Sequence, residues 1–382
     1  MESPKSSPSP SSASTPFPCP LNPSPGLPGE FVWSREGPGP LDLVPALDVP
    51  VIDLGGFLRG ELEETSRAIE LVRAACMAHG FFQVIGHGVD LSLIDAAYDA
   101  TDRVFGMPMS RKVGLRRKEG TFWGYSYAHS DRYSSNLPWK ETFTFGFEHN
   151  QAKSTRGVVD YFADMVGRDF VHVGWAYQKY CEAAKETGLA IMELIAMSLG
   201  VDRGHYSRIF KEGSSIMRCN YYPPCEKEEE TMGTGPHCDP TSLTVLHQDG
   251  VGGLQVLLDG MWRAVTPRHD AFVINIGDTM MAMTNGVYKS CLHRAVVNKE
   301  KERRSLALFM CPPEDHLVAP PPDLLLTTTT KDDDDDDGKV RKYPDFKWGQ
   351  MLRFTQSQYR ADVATLESFI NTVSNQTPPK SR

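Results

Sequence analysis

The stretch GPHCDPTSLTVLHQDG, Gly235 to Gly250, sets an imidazole and a carboxylate two residues apart, His237 and Asp239, at the head of an apolar β-rich run. Side chains two apart along a strand share a face. The spacing therefore predicts that His237 and Asp239 reach one point while Cys238 turns away. Two ligands leave a divalent cation under-coordinated. The third candidate is His293, far downstream in SCLHRAV.

The sequence between them explains how such a gap can close. From about residue 214 to 311 the segments are short, β-branched and separated by Gly and Pro: SIMRCNYY, SLTVLHQ, GLQVLL, MWRAVT, AFVINIG, KSCLHRAVVN and RRSLALFMC. Such punctuation predicts a sandwich or jelly roll, in which strands distant in sequence become neighbours. VINIGDTMMAMTNGVYKS (Val273 to Ser290) reads as strand, turn, strand, with Asn285-Gly286 as the hairpin signal and Asp278 as a turn residue. Its expected job is to return the chain so that His293 meets the other two ligands.

Two histidines and one carboxylate on one face of an octahedron leave three positions open, the donor set of non-haem Fe(II) oxygenases. A lone His-x-Asp is more often a hydrogen-bonded surface pair, and three such ligands also suit a zinc hydrolase. RRSLALF tips the balance. Arg303 and Ser305 are again two apart, on a strand following the one that carries His293. An Arg fork meets a carboxylate bidentately, and a Ser hydroxyl adds a donor. That pair predicts a keto acid whose oxo-acid end chelates iron and whose far carboxylate sits on Arg303 and Ser305. In RCNYYPPC, Asn220 and Tyr222 share a face, and a phenol can donate to a carboxylate. Pro223-Pro224 ends that strand.

Composition narrows the classes. The chain has 382 residues and a net charge of −9, with no basic block, which argues against nucleic acid as a partner. No stretch is apolar enough to span a membrane. The eight cysteines are scattered without a CxxC pair, as in reduced cytoplasmic proteins. The expectation is a cytoplasmic monomer without a signal segment.

Along the chain, residues 1–48 form a Pro/Ser-rich arm expected to be disordered. Residues 49–212 read as a helix-rich region, with a short strand at VPVIDLGGF, a helix from Glu61 to His79, a strand from Phe81 to Val89, a helix from Leu91 to Phe105 and a long one from Trp175 to Leu199. Residues 213–313 are the jelly-roll core. Residues 314–345 are a loop containing the Asp run KDDDDDDGK, read as solvated. Residues 346–382 carry one C-terminal helix, about Phe346 to Phe369, and a tail. The fold class is α+β: a jelly roll flanked by helices.

NYYPPC, HCD, LHR and RRS together resemble the plant soluble 2-oxoglutarate/Fe(II)-dependent dioxygenases, as do VPVIDL and HGFFQVIGHGV in the first half. Gly86 departs from the family, where many members have Asn. LPWKETFTFGF (Leu137 to Phe147), IMRCNYYPPC and GTGPHCDPTSLTVLHQD are similar to the gibberellin 20-oxidases within that family. The likeness spans about residues 49–372. It implies a distorted double-stranded β-helix, His237, Asp239 and His293 as ligands of Fe(II), and Arg303 with Ser305 as the 2-oxoglutarate clamp, Tyr222 and Asn220 assisting. Dioxygen is the oxidant and ascorbate the reductant. It also implies oxidation of carbon 20 of a twenty-carbon gibberellin to alcohol, then aldehyde, then a nineteen-carbon product.

For the substrate, Trp123, Tyr125, Arg132, Trp139 and Lys140 are the candidates. Apolar rings fit a hydrocarbon skeleton and a cation fits its carboxylates. The competing reading makes the aromatics core residues and pairs Lys140 with Glu141. Three alternatives stay open: a gibberellin 3-oxidase, a flavonoid dioxygenase, and a non-catalytic hormone-binding protein that uses the jelly roll as a cup.

Overall fold

The computed structural model describes residues 27–33, 44–118, 120–130, 136–148, 157–326, 341–358 and 365–376. Among these, the strands in chain order are β1 (Val51–Asp53), β2 (Phe81–Ile85), β3 (Gly124–Tyr127), β4 (Glu141–Glu148), β5 (Ser214–Tyr222), β6 (Thr234–His237), β7 (Leu243–Gln248), β8 (Leu254–Leu258), β9 (Met261–Ala264), β10 (Phe272–Ile276), β11 (His293–Ala295), β12 (Arg303–Met310), β13 (Leu317–Val318) and β14 (Phe346–Lys347). The α-helices are α1 (Gly55–Leu58), α2 (Leu62–Ala78), α3 (Leu91–Phe105), α4 (Met109–Gly114), α5 (Val158–Tyr161), α6 (Val171–Ser198), α7 (His205–Glu212), α8 (Asp278–Met283), α9 (Pro322–Leu326), α10 (Trp348–Gln358) and α11 (Thr365–Gln376).

An eight-stranded sheet runs β1-β2-β10-β7-β12-β5-β4-β3, and a four-stranded sheet runs β6-β11-β8-β9. One cavity is lined by residues of both sheets, so the site lies between them, as in a jelly roll. The period of two along β12 sends Arg303, Ser305, Ala307 and Phe309 to that cavity. Leu306, Leu308 and Met310 alternate with them and are fully buried. The long α6 packs across β12 and β7. Ile191, Met192, Leu194 and Ile195 of α6 are wholly buried. Each such side chain contributes about 1.5–3 kcal/mol by leaving water.

The N-terminal region is less purely helical than expected. Its β2 pairs with β10 over Phe81–Val84 and its β4 with β5 over Glu141–Glu148, so both sequence halves build one sheet. β2 ends at Ile85 rather than Val89 because Gly86 and Gly88 both take positive φ, +60° and +76°. At Gly86 a Cβ would stand 2.1 Å from Asp53 Oδ1, and Gly86 is not among the residues lining the cavity that holds His237 and His293.

Three other expectations are corrected. The stretch after β10 is not strand, turn, strand: Asp278–Met283 is a helix. Its Met and Ala favour helix, and Asn285 and Gly286, both at positive φ, stop it instead of closing a hairpin. Asp278 opens that helix, its amide donating to Asp239 O at 2.8 Å. Burial raises its carboxyl to about 7. The C-terminal helix is two helices, α10 and α11, with residues 359–364 outside the description. Within the arm read as disordered, residues 27–33 are packed: Gly29–Phe31 form a turn of 3-10 helix and Phe31 is buried. The Asp run lies outside the described residues.

Candidate active site

β6 ends at His237, and β11 runs antiparallel to it with His293 directly opposite. Asp239 lies two residues on, in the turn rather than on the strand. The turn nonetheless brings it back. Asp239 Oδ1 is 3.7 Å from His237 Nε2 and 3.8 Å from His293 Nε2. All three ligand atoms lie within 4.8 Å of one another, the group of His, Cys, Asp or Glu side chains among the described residues that suits a metal ion.

The surrounding hydrogen bonds fix which atoms face inward. His237 Nδ1 bonds Gly235 O at 2.8 Å, and His293 Nδ1 bonds Cys291 O at 3.1 Å. A carbonyl accepts only, so each Nδ1 carries the proton and each Nε2 presents a lone pair. Thr244 Oγ1 and Asn275 Nδ2 donate to Asp239 Oδ2 at 2.6 and 2.8 Å. Oδ2 is thus occupied and Oδ1 is left for a cation. Burial, then the neighbouring His293, pushes the His237 imidazole down to about 3. Burial alone would raise the Asp239 carboxyl. The two histidines and the donors on Oδ2 outweigh it and hold the group below the usual range. Neutral imidazoles and an ionised carboxylate are the forms that bind metal.

The clamp assembles across neighbouring strands. Arg303 pairs with Tyr222 and Ser305 with Asn220 in the β12–β5 register. The Arg303 side chain is buried, its Nε donating to Gly252 O and its Nη2 to Gln248 Oε1, with the guanidinium 4.8 Å above the Tyr222 ring. Among the described residues its Nη1 has no partner, and neither does Asn220 Oδ1, whose amide nitrogen donates to Ser305 Oγ at 3.1 Å. A buried, unpaired guanidinium nitrogen costs free energy unless an anion meets it. The three ligands fit a ferrous ion, and this orphaned donor fits the far carboxylate of a keto acid.

The substrate candidates divide. Lys140 lines the cavity and is buried, its Nζ donating to Thr234 Oγ1 at 2.9 Å. Burial, then Arg218, Arg303 and Arg117, push its ammonium well below the usual range. It does not pair with Glu141, which takes Lys112 Nζ and Tyr125 Oη, both at 2.6 Å. Tyr125 therefore belongs to a buried polar cluster and not to the cavity wall. Trp139 packs edge-on against Phe31 at 5.1 Å. Trp123 faces another cavity, with Phe122, Tyr161 and Trp348. Arg132 lies outside the described residues. The sequence reading missed Thr244 and Asn275, whose types carry no metal signal, and Trp33, Arg218 and Phe309 of the cavity wall.

No described helix is long and apolar enough to cross a membrane. Residues 213–312 match the model of the 2OG-Fe(II) oxygenase superfamily, and residues 49–162 match that of the non-haem dioxygenase in morphine synthesis N-terminal region. Gibberellin 20 oxidase 2 of Oryza sativa subsp. indica is 51% identical over 351 residues, covering 92% of this chain and 86% of that protein. Gibberellin 20 oxidase 2 of Arabidopsis thaliana is 47% identical over 353 residues, covering 92% and 89%. The crystal structure of JOX2 in complex with 2OG, Fe and JA superposes with a TM-score of 0.75 at 28% identity, covering 92% of this chain and 95% of that one. Two histidines and one aspartate, with a buried arginine whose Nη1 is left over, thus sit between two sheets of a chain about half identical to the gibberellin 20 oxidases named, and the chain belongs to the 2OG-Fe(II) oxygenase superfamily, as an Fe(II)/2-oxoglutarate-dependent dioxygenase of the gibberellin 20-oxidase group.

Proposed function

We propose that the protein oxidises carbon 20 of twenty-carbon gibberellins, through alcohol and aldehyde, to nineteen-carbon products. The observation that carries this is the buried Arg303 Nη1, unpaired beside Ser305 and across the ladder from Tyr222, in the same cavity as His237, Asp239 and His293. The relatives named above supply the substrate class.

His237 and His293 offer Nε2, and Asp239 offers Oδ1, to Fe(II). Arg303 Nη1 and Ser305 Oγ receive the distal carboxylate of 2-oxoglutarate, and Tyr222 backs the guanidinium with its ring. With iron, 2-oxoglutarate and dioxygen bound, the centre would supply the oxidising power for hydrogen abstraction from an unactivated carbon, one oxygen atom of dioxygen entering succinate as 2-oxoglutarate loses carbon dioxide and the other serving the substrate. Lys140 meets a substrate carboxylate, and the apolar wall around Leu246, Leu254 and Phe309 excludes water from the reacting carbon. A carboxylate bound beside Lys140 restores its proton, which burial otherwise disfavours.

A binding protein with no reaction to perform has no use for three metal-ready ligands set beside a second carboxylate clamp at Arg303 and Ser305. The described cysteines are all unpaired, which supports a cytoplasmic setting; the further reading is a monomer. The test is incubation of the purified protein with Fe(II), ascorbate, 2-oxoglutarate and a panel of twenty-carbon gibberellins, with products identified by mass spectrometry. Loss of carbon 20 with matching succinate supports the assignment. Hydroxylation elsewhere on the skeleton, or no product, contradicts it.

A further inference from the structure

Residues 27–33 precede both matched family regions, yet one of them, Trp33, lines the cavity of the site. Four hydrogen bonds strap them down. Leu137 N donates to Glu30 O at 2.7 Å and Trp33 Nε1 donates to Leu137 O at 3.0 Å. Trp33 N donates to Glu230 O at 3.0 Å, and Thr231 Oγ1 donates to Phe31 O at 2.8 Å. The strap therefore spans the two segments that carry Lys140 and His237. Its anchor is Phe31, 1% exposed and set edge-on to Trp139.

Trp33 is placed differently. It is only half-buried, and it lines the cavity that holds the three ligands and Arg303. Its six-membered ring lies against Gly235, where an added Cβ would come within 2.1 Å of Cη2. Gly235 is thus the residue whose lack of a side chain admits the indole, two positions before His237. On the adjoining residue of β6, Thr234 Oγ1 accepts from Lys140 Nζ at 2.9 Å. An indole and a buried lysine amine therefore flank consecutive residues of the strand that ends in His237. The polar edge of the indole is already satisfied by Leu137 O, so its contribution to the cavity is apolar surface.

We propose that Trp33 is a specificity-determining residue: its indole is the wall on which the apolar ring body of the organic substrate packs while Lys140 takes the carboxylate. The proposal rests on the substrate reading given under Proposed function. It makes the segment ahead of the two matched family regions part of the substrate site.

The test compares the full-length parent with Trp33→Ala and Trp33→Phe. Steady-state constants are measured separately for a gibberellin and for 2-oxoglutarate, alongside thermal melting. Loss of an aromatic contact surface of this size predicts a rise of about tenfold in KM for the gibberellin in Trp33→Ala. The KM for 2-oxoglutarate stays within about twofold, because the strap does not touch Arg303. Trp33→Phe recovers most of the loss. An active parent whose gibberellin KM is unchanged in Trp33→Ala overturns the proposal, as does a parallel rise in both KM values. If Trp33→Ala fails to fold, Trp33→Phe decides alone, with a selective rise in gibberellin KM of about twofold expected and none overturning the proposal. A parent with no gibberellin turnover sinks the function reading, and this inference falls with it.

Discussion

Asn275 Nδ2 donates to Asp239 Oδ2 across 2.8 Å, from β10 in the large sheet to the turn that follows β6 in the small one. This contact, with Thr244, commits one carboxylate oxygen and aims the other at the histidines. Asn275→Ala should therefore weaken Fe(II) binding by about 10–100-fold while leaving the fold intact. Anaerobic metal titration checks it, and the KM for 2-oxoglutarate at saturating iron should stay near that of the parent.

Arg303→Lys keeps the charge and loses the planar fork. The ammonium cannot at once hold Gly252 O, hold Gln248 Oε1 and meet a carboxylate in the geometry of Nη1. The KM for 2-oxoglutarate should rise about 10–100-fold, the worth of a charged hydrogen bond, with the gibberellin KM little changed. Steady-state kinetics with each reactant varied in turn measure the split.

Lys140 gives the pH dependence. Its ammonium is depressed by burial and by the neighbouring arginines, and a bound carboxylate favours the protonated form. Substrate binding then takes up a proton, so the gibberellin KM should rise with increasing pH across the range in which the protein stays folded. In Lys140→Met the KM should be about tenfold higher and much less dependent on pH. KM measured across that range checks both statements.

Behind Lys140, Lys112 and Glu141 form an ion pair whose side chains are 6% and 5% exposed. Lys112→Met leaves the Glu141 carboxylate buried without its cation, with Tyr125 Oη still donating to it. The cost should be about 3 kcal/mol of folding stability, read from denaturant midpoints. The double variant with Glu141→Leu should recover part of it, because the uncompensated charge is gone.

Local patterns told most about the strands that carry the chemistry. Arg303 with Ser305 and Asn220 with Tyr222 were readable as same-face pairs because strands alternate with a period of two. Their pairing across the β12–β5 ladder was not readable, because register is set by the whole sheet. Asp239 comes to the two histidines by a turn instead of a strand, so the expected convergence is present and the expected strand geometry is not. Asp278–Met283 misled because Asn285-Gly286 signals a reversal without saying what precedes it. Tyr125 and Trp139 looked like substrate contacts because aromatics near a motif are ambiguous until their partners, Glu141 and Phe31, are seen. Trp33 carried no signal at all: a lone tryptophan in a Pro/Gly-rich stretch shows its role only through Gly235, some two hundred residues later.

The most direct test of the account is the iron stoichiometry of the parent and of Asp239→Ala, measured by anaerobic equilibrium dialysis with circular dichroism as the control for folding. One Fe(II) per chain in the parent and none in the equally folded variant is the predicted result. A folded Asp239→Ala that still holds one Fe(II) as tightly as the parent would contradict it.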